Sequence, residues 1–117
     1  MGLPKKSVFV VSDRTGLTAE ELCRSLLTQF PGLHFMTTVL PFIDSDDKLS
    51  EVVSQINLAS ETDESRPIVF VTFVNAEYRK RIDQARALVI DVFSSFMGVL
   101  SRELNTTPSW QAGHSHG

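Results

Sequence analysis

The residues best suited to chemistry lie in one short segment, SDRTG at residues 12–16, between an apolar run and an amphipathic stretch. Hydroxyl groups, a guanidinium and the N–H groups at a helix start all favour an anion such as phosphate. We therefore predict an anion-binding loop formed by Ser12, Arg14, Thr15, Gly16 and Thr18. Asp13 is the candidate catalytic residue, because its carboxylate could orient a nucleophile or coordinate a metal ion. A plain connecting turn, in which Asp13 and Thr18 only accept from backbone N–H groups, fits the same pattern.

Other phosphate and metal motifs are missing from the sequence. Neither G-x-G-x-x-G nor G-x-x-x-x-G-K-S/T occurs, and none of the six glycines is followed by lysine. The acidic stretch at residues 44–55 has Leu49 where a calcium loop needs glycine and Gln55 where it needs glutamate. His114 and His116 are additional candidate site residues, but two histidines alone do not predict a metal site.

The length, charge and composition of the chain exclude several classes of protein. A chain of 117 residues is about one domain, and its net charge of −3 argues against a nucleic-acid binder. A single cysteine, Cys23, excludes an internal disulfide and fits a reducing cytosol. The longest apolar runs have the length of strands, and no signal or transit peptide is evident, so we expect a cytoplasmic protein without a membrane partner.

The elements that position the loop alternate along the chain. Apolar runs predict strands at residues 6–12, 34–42 and 68–74. For the first helix, Thr18 and Glu21 form a predicted capping box, and the proline and glycine at residues 31–32 end it. The second helix is capped by Asp44 or Ser45.

Two interpretations fit the third helical region, which begins after the cap residue Asn75. Residues 78–104 form either one long helix, or a short strand at 87–90 followed by a helix capped by Asp91, and we favour the break. The basic run at residues 79–81 is expected to be a solvated helix face.

This order predicts an α/β fold: a small three- or four-stranded parallel sheet with helices on both faces, similar to Rossmann and flavodoxin folds. We expect a domain at residues 1–104 and a polar tail at residues 105–117.

Several strings together resemble a known family. VFVVSDRTGLTAEELCRSLLTQFPG, TVLPF, RPIVFVTFV and PSWQAGHSHG look like the N-terminal half of the phosphoenolpyruvate synthetase and pyruvate, phosphate dikinase regulatory proteins. The family signature Ser-Asp-x-Thr-x-x-Thr-Ala-Glu is matched by Ser12, Asp13, Thr15, Thr18, Ala19 and Glu20.

The resemblance implies a bifunctional serine/threonine kinase and phosphorylase. Such proteins use ADP to phosphorylate a threonine of the synthetase or dikinase, and use inorganic phosphate to remove the phosphoryl group as pyrophosphate. The family's G-x-x-x-x-G-K-S/T loop belongs to a C-terminal domain, toward which residues 105–117 lead. Since the loop is missing here, the resemblance implies no kinase activity and no cofactor for this chain alone. His114 stands where the family pattern has an arginine.

A different class of function fits the same residues. In this alternative, the domain is a non-catalytic module that binds a small anion and forms a homodimer or docks the target enzyme. An apolar strip through Phe93, Phe96 and Met97 would then be the interface, although core packing explains it too.

Overall fold

A computed structural model describes residues 5–63 and 65–109, in which four strands and four helices alternate. The elements are β1 (Lys5–Ser12), α1 (Leu17–Leu27), β2 (His34–Leu40), α2 (Asp46–Thr62), β3 (Ile68–Thr72), α3 (Ala76–Ile82), β4 (Leu88–Asp91) and α4 (Val92–Leu104). The predicted α/β class is confirmed, and so is the break that separates β4 from α4. No helix in the described ranges is both long and apolar enough to cross a membrane.

The four strands form one parallel sheet in the order β2-β1-β3-β4. Val10 of β1, for example, lies between Val39 of β2 and Phe70 of β3. This order is that of flavodoxin-like sheets. The predicted parallel sheet is confirmed, and the strand order, which periodicity left open, is now defined.

The helices divide between the two faces of the sheet because parallel connections are right-handed. The connection from β1 to β2 runs in the opposite direction from those that lead to β3 and β4, so α1 lies opposite α2 and α3. One face buries residues of α2 and α3 against Phe9, Val11 and Val71. The other face buries Ala19, Cys23 and Val92, from α1 and α4, against Val8, Val10 and Phe70.

Three helices begin as the sequence predicts. The side chains of Ser45, Asn75 and Asp91 accept hydrogen bonds from the N–H groups three residues later, at 3.2, 3.1 and 3.1 Å. Each bond satisfies one amide that the first turn of a helix leaves without a partner.

The predicted start of α1 is wrong. Thr18 is not a cap but the second residue of the helix, which begins after Gly16. Gly16 has φ 79°, in the left-handed region, and this sharp turn lets the helix begin two residues before the predicted first turn. The helix also ends earlier than expected, at Leu27.

Strand ends differ by small amounts from the predictions. β2 ends at Leu40 and not at residue 42, because Pro41 has no N–H and Phe42 adopts φ 57°. β3 ends at Thr72, two residues before the predicted end, and β1 begins one residue earlier, at Lys5.

Candidate functional site

The predicted loop leaves the sheet where the direction of the chain reverses. From β1 the chain proceeds to β2 on one side and later returns to β3 on the other side. In open α/β sheets, ligands bind outside the carboxyl ends of the strands at such a point. Ser12 and Thr72, paired in register, are the last residues of β1 and β3, and both are buried.

Side-chain hydroxyls shape the loop that follows β1. Ser12 Oγ accepts from the N–H of Arg14 at 3.0 Å, and Thr15 Oγ1 accepts from the N–H of Leu17 at 3.3 Å. Arg14, Thr15 and Thr18 are exposed, whereas Ser12 is buried. The structure therefore places all the predicted anion-binding residues in one loop and first helical turn, with Ser12 inside it and Arg14 at its surface.

Gly16 determines how the start of α1 is oriented at the carboxyl end of the sheet. A Cβ at this position would meet Ser12 Cβ at 3.6 Å and Val39 Cγ1 at 3.7 Å, which are ordinary contacts, so the left-handed φ and not space requires glycine. Glycine has no side chain with which to cap a helix, and α1 alone among the four described helices begins without a side-chain cap. The N–H of Leu17 donates to Thr15 Oγ1, and the other first-turn N–H groups, at the positive end of the helix dipole, receive no side-chain cap.

Asp13 connects the loops that follow β1 and β3 at the carboxyl end of the sheet. Its Oδ2 accepts from the N–H of Val74 at 3.0 Å, 61 residues away. Its Oδ1 is inaccessible to solvent and accepts no hydrogen bond from the described residues. An acceptor in this state costs about 1–3 kcal/mol. The carboxylate predicted to be catalytic therefore holds the β1 and β3 loops together through Oδ2, while Oδ1 accepts no hydrogen bond from the described residues. Its catalytic role stays a prediction.

Arg79 is part of this arrangement, and the sequence interpretation missed it. Its guanidinium donates to the carbonyl of Val74 at 2.9 Å and of Phe73 at 3.4 Å, and lies 3.7 Å from the carboxylate of Asp91. The basic run was expected to be solvated, but the Arg79 side chain is largely buried. It donates to the carbonyl of Val74, the residue whose N–H donates to Asp13. Its position three residues before the buried Ile82, on the same helix face, was the available signal.

A third segment, after β2, borders the loop. The N–H of Phe42 donates to the carbonyl of Arg14 at 2.8 Å, and the N–H of Ile43 donates to the carbonyl of Ser12 at 2.9 Å. Lys48 Nζ lies 2.9 Å from Asp44, and this hydrogen bond and charge lower the pKa of the Asp44 carboxyl. Phe42 was not among the predicted site residues.

Residues outside the loop contribute less to the site. Cys23 is buried between α1 and the sheet, and burial raises the pKa of its thiol. Within residues 5–63 and 65–109, no cluster of three or more acidic, histidine or cysteine side chains could hold a metal ion. His114 and His116 lie outside the described residues.

Comparison with known proteins gives the family. Residues 8–117 match the model of the family described as kinase/pyrophosphorylase. The chain belongs to the kinase/pyrophosphorylase family. The match confirms the resemblance carried by the signature at residues 12–20.

Curated relatives in this family extend well beyond the matched region. The chain is 44% identical to a protein of Marinobacter nauticus and 46% identical to one of Pseudomonas fluorescens, in each case over 112 residues, 96% of this chain and 41% of the relative. A protein of Alkalilimnicola ehrlichii is 44% identical over 113 residues. All three carry the provisional name phosphoenolpyruvate synthase regulatory protein. The chain thus spans about two fifths of the length of the curated relatives it matches.

Proposed function

We propose that this domain forms part of a bifunctional regulator of phosphoenolpyruvate synthase or pyruvate, phosphate dikinase. In the complete protein, ADP donates a phosphoryl group to a threonine of the target, and inorganic phosphate later removes it as pyrophosphate. The family description and the names of the relatives support the kinase and regulatory parts of this proposal. The role of this domain is to bind the anion, either inorganic phosphate or the phosphothreonine of the target.

One observation carries this assignment. An exposed arginine, Arg14, lies beside a helix start without a side-chain cap, at the point where the sheet order reverses. Phosphoryl transfer depends mainly on positioned donors and positive charge, since the charge develops on the phosphoryl oxygens. Arg14 supplies the positive charge, and the first-turn N–H groups other than that of Leu17 supply donors, while the exposed hydroxyl of Thr18 adds another.

Asp13 has a second role in the proposal. Because the N–H of Val74 holds Oδ2 while Oδ1 is inaccessible to solvent, Asp13 serves the proposed site by fixing the loop that carries Arg14, and proton transfer from the attacking threonine to Oδ1 requires this loop to move. Arg79 supports this role indirectly, since it holds the carbonyl of Val74 and so fixes the N–H that orients the carboxylate.

The test is Arg14→Ala in a fusion where this chain replaces the matching two fifths of the Marinobacter nauticus relative. Loss of a charged hydrogen bond to phosphate is expected to slow phosphorolysis about 10- to 100-fold. The matched control is Arg24→Ala, which removes an equally charged, exposed side chain that pairs with Glu20 within α1. Binding of inorganic phosphate to the 117-residue chain, measured by calorimetry, gives a second readout. Unchanged phosphorylation and phosphorolysis rates in Arg14→Ala would contradict the proposal.

A second candidate function has an observation of its own. An apolar groove of about 440 Å³ separates α1 from α4, between walls that include Leu26, Phe30 and Phe96. Exposed apolar patches of this kind mark protein interaction sites. Under this alternative the domain dimerises or docks the target and all the chemistry lies elsewhere. Sedimentation that shows a monomer at all concentrations, together with no affinity for phosphoenolpyruvate synthase, would exclude it.

A further inference from the structure

One side of α4 stays apolar beyond the part of the helix that is packed. Val92, in the first turn, is buried in one core cluster with Phe70. Phe96 and Val99 follow at spacings of four and three residues, so they lie on the same side of the helix, yet they are 57% and 56% exposed. This side of α4 is therefore buried at its start and uncovered along the rest of its length.

The lengths of the elements explain the difference. The strands that α4 packs against, β3 and β4, have five and four residues and extend for about 17 and 13 Å. The helix itself has 13 residues and extends for about 20 Å. It is thus longer than the surface beneath it, and its last residue, Leu104, is 64% exposed.

The groove between α1 and α4 adjoins the uncovered part of the helix, because Phe96 lines it together with Leu26 and Phe30. Among the described residues that line the groove, none is charged, and the one polar side chain, Ser95, donates its hydroxyl to the carbonyl of Asp91 at 2.8 Å. A polar small molecule would therefore find no charge and no unused donor there. The groove and the exposed side of α4 form one apolar surface, which fits an apolar part of a polypeptide.

The relatives indicate which polypeptide that is. The matched region is 41% of the Marinobacter nauticus relative, which leaves about three fifths of that protein outside it. The strings at residues 8–32 and 108–117 resemble the N-terminal half of the family, so the rest of a full-length member follows this domain. The helix with the uncovered surface is thus the last described helix before that continuation.

We infer that the α1–α4 groove and the second half of α4 form the docking site for the domain that follows in full-length members of the family. A tethered domain has an effective concentration in the millimolar range, so it occupies a surface beside its tether before a separate molecule does. The lack of charge is typical of permanently covered interfaces, which resemble the core of a domain. This inference goes beyond the proposed function and holds whether or not Arg14 binds an anion.

A second copy of this chain fits the groove less well. A two-fold interface pairs a surface patch with itself, so an axis through the groove would place one concave surface against another and leave the centre unfilled. A convex surface, such as the side of a helix, fills a groove between two helices. The shape therefore favours a partner whose surface differs from that of the groove.

The experiment compares hydrogen exchange in the 117-residue chain and in the fusion where it replaces the matching two fifths of the Marinobacter nauticus relative. We expect the amides of residues 96–104 to exchange about tenfold more slowly in the fusion, because docking prevents local opening of the helix. The amides of α2, on the packed face, should exchange equally in both proteins. Phe96→Asp in the fusion should return residues 96–104 to the rates of the 117-residue chain, since an unpaired charge is costly to bury.

Two further variants make the result specific to the groove. Leu58→Asp is the matched control, because Leu58 is 60% exposed and lies on α2, which covers the other face of the sheet. It should leave the protection of α4 in the fusion unchanged. If Phe96→Asp lowers the melting temperature of the 117-residue chain, Phe96→Ala, which favours the helix, replaces it and should lose most of the same protection.

Each outcome supports or overturns the docking site. Equal exchange of residues 96–104 in the chain and the fusion overturns it, and so does protection that survives both Phe96 variants. Protection of the 117-residue chain that grows with its concentration assigns the surface to a second copy and also overturns the inference. Protection that arises only after phosphoenolpyruvate synthase is added assigns the surface to a target and overturns it as well. The proposed function is tested separately, because Arg14→Ala alters the anion site and not the exchange of α4.

Discussion

The two faces of the sheet are covered to different degrees. On one face, α2 buries Leu49, Val52 and Ile56 against the strands, and α3 adds Ile82. On the other face, α1 and α4 leave a groove between them in which Leu26 and Phe96 remain exposed. Packing on the first face is therefore expected to supply most of the stability, whereas the second face retains apolar surface that the fold does not use.

The carboxyl edge of the sheet differs from both of its faces. The candidate site lies on neither face but at the carboxyl edge, where loops from β1, β2 and β3 meet. Its side chains are positioned by hydrogen bonds between loops and not by the burial of apolar groups. Substitutions at the edge can thus change binding with little effect on stability, and core substitutions can do the reverse.

The largest expected effect is a contrast between two leucines, one on each face. Leu49→Ala removes a fully buried side chain and should lower the free energy of unfolding by about 3 kcal/mol. Leu26→Ala, the matched control on the groove side, should lower it by less, about 1 kcal/mol, because nearly half of this residue is already exposed to water. Urea denaturation measures both values. Equal losses would show that the groove face is as important for stability as the packed one.

A second prediction compares the caps of α4 and α2. Asp91→Ala removes the bond to the N–H of Ser94 and the ion pair with Arg79, and should cost about 1–2 kcal/mol. Ser45→Ala removes only the cap of α2 and should cost about 1 kcal/mol.

Hydrogen exchange distinguishes α4 from α2 more clearly than the free energies of unfolding do. In Asp91→Ala we expect the amides of α4 to lose protection as a unit, because this helix has few buried contacts that would hold it. In Ser45→Ala only the first turn of α2 should be affected, since Leu49 and Ile56 keep the rest of the helix packed. Equal protection of α4 and α2 in the two variants contradicts the difference between the faces.

The sequence predicted features that depend on neighbouring residues. Asn75 and Asp91 cap their helices as expected, because a cap and the amide it satisfies are three residues apart. The amphipathic character of the stretch after residues 12–16 was also evident, but periodicity shows which side of a helix is apolar and not whether another element covers it. The exposure of Leu26 could not be predicted from the sequence for that reason.

The features that the sequence did not predict depend on distant partners. Thr18 matched a capping box, but the left-handed turn at Gly16 began the helix before it. The spacing from Ile82 indicates that Arg79 lies on the inner face of α3, but its partners, Asp91 and the Val74 carbonyl, belong to other segments that no local pattern identifies. The conformation of Phe42 follows from pairing with Arg14, 28 positions earlier along the chain, which no local pattern reveals.

The smallest expected effect concerns Cys23, on the less completely packed face. Burial raises the pKa of this thiol above its ordinary value of 9.0, because the thiolate is poorly solvated between α1 and the sheet. Above about pH 9 the unfolded chain loses the thiol proton while the folded chain keeps it, so stability should fall as the pH rises. In Cys23→Ala this contribution is absent, and the free energy of unfolding should decline less steeply over the same pH range. Other groups titrate equally in both proteins, so the difference between the two slopes isolates the thiol. Parallel slopes would mean that water reaches Cys23 in the folded state, and that the groove face opens more readily than its packing indicates.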